Sequence, residues 1–140
     1  MSLQHGLPAR RRIYLIRHGD VHYFDATGRP VPPNDVPLND DGRRQGERLA
    51  ELLAAVHLDR AIVSDLPRAT STASLVLAGQ KSPPPLEIEP ALREVQPGRL
   101  TGLGLDAVRE LLLGAVTGNL TRESRFLGGE TLGDFCDRVE

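Results

Sequence analysis

The chain has 140 residues, 39% hydrophobic and 26% charged, the balance of one ordinary globular domain rather than a disordered or fibrous chain. Seventeen Lys and Arg against 19 Asp and Glu leave a formal charge of -2, which argues against the strongly basic surface of a dedicated nucleic-acid binder. No apolar run approaches the roughly 18 residues of a membrane span, and the single cysteine, Cys136, makes no internal disulfide, so a reducing cytoplasm is the expected setting.

Residues 1–12 read as a polar, basic leader, and the Arg10-Arg11-Arg12 run as a solvated one. The domain is expected over 13–140. Residues 13–16 (Ile-Tyr-Leu-Ile) form a short apolar run suited to a buried strand. Arg17 stops it too early for the apolar region of a signal peptide. Gly28, Pro30, Pro32, Pro33 and Pro37 make the next stretch a long ordered loop.

Asn39 then caps a helix whose first turn carries Asp40 and Asp41, and Leu49, Leu52, Leu53 and Val56 mark one apolar face. Ala61-Ile62-Val63 reads as a second strand, and Pro67 suits the first turn of a second helix through Ala69, Ala73 and Val76 that stops near Gly79. Three prolines at 83–85 lead into Leu86-Glu87-Ile88-Glu89, whose alternation predicts a half-exposed strand. A Gly-rich loop over 94–104, a helix over 105–116 and a last amphipathic segment from Gly129-Glu130-Thr131 complete the chain. This alternation of strands and helices predicts an α/β sheet with helices on both faces.

Ligands of open α/β sheets bind at the carboxyl ends of the strands. Two such ends carry notable groups: Arg17-His18-Gly19, and Ser64-Asp65-Leu66-Pro67-Arg68. Guanidinium forks hold phosphate oxygens in two-point contacts, and an imidazole between them can attack phosphorus. Gly19, without a Cβ, lets backbone N–H groups approach the phosphate closely. No metal or other cofactor is needed. Taken alone, His18 would more often be a structural histidine and Arg68 a surface helix residue; their positions reverse the reading for His18.

The ordered motifs resemble the histidine phosphatase superfamily, which contains phosphoglycerate mutases and many small phosphomonoesterases. Leu15-Ile16-Arg17-His18-Gly19-Asp20 resembles its nucleophile motif; Pro37-Leu38-Asn39 with Gly42 and Gln45 resembles the start of its first helix. Ser64 to Ala69 with Thr72-Ala73 resembles the second arginine motif, and Leu92-Arg93-Glu94 with Gly98-Arg99-Leu100-Thr101-Gly102 the acid-donor loop. A weaker fifth block is Gly129-Glu130-Thr131-Leu132 with Phe135 and Arg138-Val139.

The resemblance implies a phosphoglycerate mutase-like three-layer α/β sandwich with a mostly parallel sheet. It makes His18 the phosphorylated nucleophile, Arg17 and Arg68 (with Gly19) the phosphate binders, and Glu94 the general acid. An acid donor must keep its proton near neutral pH, which phosphate charge and partial burial favour. Without the spacing of Glu94 from Gly98, Glu94 would read as a solvated carboxylate paired with Arg93 or Arg99. His22 could line the pocket; His5 and His57 have plainer settings, and Cys136 packs on a helix face.

Two departures bear on function. The family's pocket has a second histidine on a later strand, and the resemblance reaches Glu140 before that motif, so a truncated relative, or a strand supplied by another subunit in a homo-oligomer, is expected. Asp20 also stands where the family usually has Glu or Gln, and the segment after it lacks the mutase-like continuation. Hydrolysis of a small phosphorylated metabolite is therefore the leading expectation. Mutase-type transfer and a non-catalytic phosphate-binding relative stay open.

Overall fold

The computed structural model describes residues 11–28, 31–98, 106, 110, 113 and 120–140. Helix α1 (Asp40–Leu53) starts where the sequence places it: the Asn39 side chain accepts a hydrogen bond from the Gly42 N–H (2.8 Å), and Asp40 and Asp41 face the positive end of the helix dipole. Strand β1 (Ala61–Val63) is followed by helix α2 (Pro67–Ala78), with Pro67 in its first turn, where a missing N–H costs nothing. Strand β2 (Leu86–Ile88) then pairs parallel to β1 in the register Ala61–Leu86, Ile62–Glu87, Val63–Ile88. The result is a βαβ unit with α1 packed on the crossover helix. A short 3-10 turn (Pro90–Leu92), a second (Phe126–Gly128) and helix α3 (Leu132–Val139), capped by the Thr131 hydroxyl on the Asp134 N–H, follow.

Residues 13–16, expected as a buried strand, are irregular and exposed. A β-strand is held by its ladder partners. Among the described residues β1 pairs only with β2, so the apolar run has no strand to lie against. Leu86 is half-buried but Ile88 is exposed, so the alternation predicted for β2 is not realised either.

The apolar face of α1 also differs from expectation. Gly42, Gly46, Ala50 and Leu53 are buried, whereas Leu52 is 77% exposed and Val56 lies beyond the helix. The reason is a close crossing with α2. A Cβ on Gly46 would stand 2.7 Å from Leu75 Cδ1, and one on Gly79 would stand 2.9 Å from the Ala50 Cβ. Small residues therefore mark the contact line, and Leu52 lies roughly 120° round the helix from Gly46 at about 100° per residue. The far end of α1 is closed by Gln80, whose amide donates to the Leu53 carbonyl at 2.7 Å.

The core comprises Val36, Leu38, Ala50, Leu53, Val63, Leu66 and Val76. Val36 and Leu38 come from the proline-rich segment, so that ordered loop contributes to the core rather than only connecting elements. On α2 the buried positions are Arg68, Thr72 and Val76, one stripe at four-residue spacing with two polar members.

The helix expected over 105–116 lies largely outside the described residues; Asp106, Glu110 and Leu113 are helical. The basic leader up to Arg10 and the acid-loop residues 99–102 also lie outside them. No helix among the described residues is long and apolar enough to cross a membrane.

The glycines of α1 predict opposite outcomes for one substitution. Alanine gains about 1 kcal/mol of helix propensity over glycine at either site. At Gly46 the new methyl meets the movable end of Leu75, and Gly46→Ala is expected to stay within about 1 kcal/mol of the parent stability. At Gly42 it would stand 2.2 Å from the backbone oxygen of Asp20, which cannot swing aside. Gly42→Ala should therefore cost about 2 kcal/mol net. Urea midpoints of the two variants measure the difference; equal midpoints would refute the backbone contact.

Candidate active site

Residues 18–20 are seated on the first turn of α1 by backbone contact. A Cβ on Gly19 would stand 2.4 Å from the Gly42 carbonyl oxygen, so neither position accommodates a larger residue without moving the chain. The Gly19 N–H donates to the Thr72 hydroxyl (3.1 Å), which donates on to the Arg68 carbonyl (2.8 Å). The segment carrying His18 is thus tied to the helix that carries Arg68. The Asp20 N–H donates to the Gln45 side chain (2.9 Å), and the Asn39 N–H to the Asp20 carbonyl (3.1 Å). Pro37 to Gln45, which the sequence singles out as a block, is the platform for this segment.

His18 is half-buried, and its Nδ1 lies 2.7 Å from the Gly19 carbonyl oxygen. A carbonyl oxygen only accepts, so Nδ1 carries the hydrogen. In the neutral form of that tautomer the ring's lone pair is on Nε2.

Arg68 has a side chain only 4% exposed. One terminal nitrogen donates to the Pro33 carbonyl at 2.7 Å and the other lies 3.4 Å from a Glu94 carboxylate oxygen, while its buried Nε has no partner among the described residues. A buried guanidinium with one N–H unpaired keeps a hydrogen-bond donor unsatisfied, at a cost to the fold. Glu94, 59% exposed, is paired with Arg68 rather than with Arg93; Arg99 lies outside the described residues. Arg93 instead forms a two-point pair with Asp65 (Nε to Oδ1 2.6 Å). Hydrogen bonds from Arg93 hold the Asp65 carboxyl below the usual carboxylate range, against the opposing effect of partial burial.

The structure thus joins Gly19, Thr72, Arg68 and Glu94 in one connected group. Arg17 is exposed. His22, also exposed, accepts at Nε2 from the Asn39 amide (3.2 Å), which also donates to Asp20 Oδ2 (2.6 Å). It belongs to the helix-cap network, and no described contact joins it to Arg68 or Glu94. Two contributors escape a reading of residue types. Thr72 is legible only as part of a motif, and the Pro33 carbonyl carries no side-chain signal. Among the described residues no cluster of three His, Cys, Asp or Glu could hold a metal. A cavity of about 500 Å³ lined by Ala54, Ala55, Val56, His57, Gln80, Lys81 and Ser82 lies at the opposite end of α1 from this group.

The profile of the histidine phosphatase superfamily (branch 1) matches residues 13–140. The chain is 30% identical over 130 residues to "Probable phosphoglycerate mutase GpmB" of Salmonella paratyphi A, covering 91% of this chain and 59% of that protein. It is 38% identical over 93 residues to a glucosyl-3-phosphoglycerate phosphatase of Mycolicibacterium vanbaalenii, covering 66% and 40%. Among solved structures, a mycobacterial glucosyl-3-phosphoglycerate phosphatase in complex with VO3 superposes with a TM-score of 0.64 at 26% identity, over 86% of this chain and 59% of that one. The chain therefore spans less than two thirds of the length of these relatives, and its α/β arrangement is that of their fold.

Proposed function

The chain belongs to branch 1 of the histidine phosphatase superfamily, and from that premise we propose that it is a phosphomonoester hydrolase working through a phosphohistidine at His18. The observation that carries this is Arg68: a buried guanidinium with an unpartnered Nε, tied through Thr72 to the segment of His18 and facing Glu94. The substrate class is a small phosphorylated metabolite. A cytoplasmic setting, supported by a single unpaired cysteine, belongs to the same reading.

Arg17 and Arg68 bind the phosphoryl oxygens, with Gly19 allowing close backbone approach. Nε2 of His18 attacks phosphorus in line; the P–N bond forms as the ester P–O bond breaks. Glu94 gives its proton to the departing oxygen, so the alcohol leaves neutral. Water then attacks the phosphohistidine and passes a proton to the Glu94 carboxylate, and cleavage of the P–N bond releases phosphate and restores neutral His18. Splitting the transfer in two replaces one difficult step by two easier ones. The arginines supply the charge neutralisation, so the route needs no metal.

A mutase-type fate, in which the phosphohistidine returns its group to bound substrate, is the second reading. A relative covering 91% of the chain carries a mutase name. The test is to incubate the purified chain with chelator and either p-nitrophenyl phosphate or a phosphoglycerate. Release of inorganic phosphate, with an acid-labile adduct mapped to His18 by mass spectrometry, is expected. Isomerised phosphoglycerate without phosphate release would point to the mutase. No turnover and no adduct from a folded chain would leave a non-catalytic anion binder.

A further inference from the structure

The Glu94 side chain is mostly exposed, and its described bond, to Arg68, is long. Side-chain packing therefore does little to aim this carboxyl. Its backbone is held far more firmly. From the last turn of α3, Arg138 donates one terminal nitrogen to the Ala91 carbonyl (2.5 Å) and the other to the Glu94 carbonyl (3.1 Å). Arg138 also pairs two-point with Glu130 (2.6 and 3.0 Å). Glu130 in turn accepts from the Gln96 N–H (2.9 Å), and its own N–H donates to the Gln96 carbonyl (2.9 Å).

The ion pair is largely shielded, with side chains 22% and 13% exposed, and the Phe135 ring lies 4.8 Å from the guanidinium. Beside it, a Cβ on Gly129 would stand 2.3 Å from the Gln96 carbonyl oxygen, so the two loops run backbone against backbone. Hydrogen bonds from Arg138 hold the Glu130 carboxyl below its ordinary range, against the opposing effect of partial burial.

We infer that the Arg138–Glu130 pair is the positioning device of the acid loop, gripping the backbone at 91, 94 and 96 so that the Glu94 carboxyl meets the leaving oxygen. The inference rests on Glu94 as proton donor. Only a planar fork can serve the Glu130 carboxylate and two carbonyls at once, so lysine is not an equivalent.

A positioning role has a signature that a purely structural one lacks. An aryl phosphate leaves as a weakly basic phenolate and needs little proton donation, whereas an alkyl phosphate leaves as a strongly basic alkoxide and depends on it. The experiment compares kcat and KM for p-nitrophenyl phosphate and glycerol phosphate in the parent, Arg138→Lys, Glu130→Gln, Glu94→Gln and the Glu94→Gln/Arg138→Lys double variant. Arg138→Lys and Glu130→Gln should lower kcat for the alkyl ester about tenfold more than for the aryl ester, with KM little changed.

Glu94→Gln should show the same bias more strongly, and the double variant no more bias than Glu94→Gln alone. Equal losses on both esters, tracking a fall in Tm, would overturn the positioning role. Absence of bias in Glu94→Gln while the parent turns over would overturn the acid assignment, and with it this role. A parent that hydrolyses neither ester would overturn the hydrolase reading itself.

Discussion

His18→Ala is expected to lower turnover of an aryl phosphate by roughly 10⁴-fold or more and to abolish the phosphorylated adduct, because on the proposed route it deletes the atom that bonds to phosphorus. The fold should survive the change. The described bond of the His18 ring is to the carbonyl of the next residue, and the segment is held by Gly19 on Thr72 and by Asp20 on Gln45 and Asn39. Its unfolding midpoint should therefore correspond to a change within about 1 kcal/mol. His57→Ala is the matched control: it removes another imidazole, exposed and 3.5 Å from Asp59 beyond the far end of α1, and should leave turnover unchanged. Retention of more than about a hundredth of the parent rate by a folded His18→Ala would refute the phosphohistidine route, since loss of a nucleophile costs far more than that.

What the sequence made legible and what it hid divide along the reach of the interactions. Asn39 before two aspartates and Pro67 after a short apolar strand are local signals, decided within four residues, and both helices begin where those signals stand. The order of the motif blocks likewise identified the family, because the residues of each block lie side by side in the chain. The exposure of residues 13–16 was hidden, since strand propensity says nothing of whether a ladder partner lies alongside. Leu52 was misassigned to the core because leucines mark an apolar face only when helices pack at ordinary spacing. Gly46 against Leu75, and Gly79 against Ala50, draw α1 and α2 in closer and move the contact line off the leucines.

The site shows the same division. Arg68, read by itself, belonged on a surface; its burial depends on Pro33, 35 residues earlier, and its pairing on Glu94, 26 residues later. That Glu94 sits against Arg68 was not legible either, because Asp65, across the chain, takes Arg93 and the partner of Glu94 lies 26 residues earlier. Arg138 and Glu130 stood out only as a weak motif, and their grip on the acid loop is a matter of carbonyl groups, which every residue has.

Arg68→Met tests the other half of the site, and stability and affinity should move independently. Methionine fills much of the same volume without charge or fork. In most proteins the loss of one partner of a buried ion pair is costly because the other charge stays buried, but here that partner, Glu94, is mostly exposed and returns to water. The desolvated guanidinium itself, with one nitrogen unsatisfied, is a cost that the substitution removes. The parent and Arg68→Met should therefore unfold within about 1–2 kcal/mol of one another.

Binding should change far more. Inorganic phosphate at a hundred times its dissociation constant stabilises a folded protein by about 2.7 kcal/mol through mass action, so the parent's Tm should rise with phosphate. Arg68→Met should show little rise, and its kcat/KM should fall by roughly 10³-fold as a charge-assisted two-point contact is lost. Arg68→Lys should fall between, keeping the charge but not the fork. The opposite pattern, a large loss of stability in Arg68→Met with the phosphate-induced rise intact, would make Arg68 a strut for the Pro33 loop and leave the phosphate to other groups.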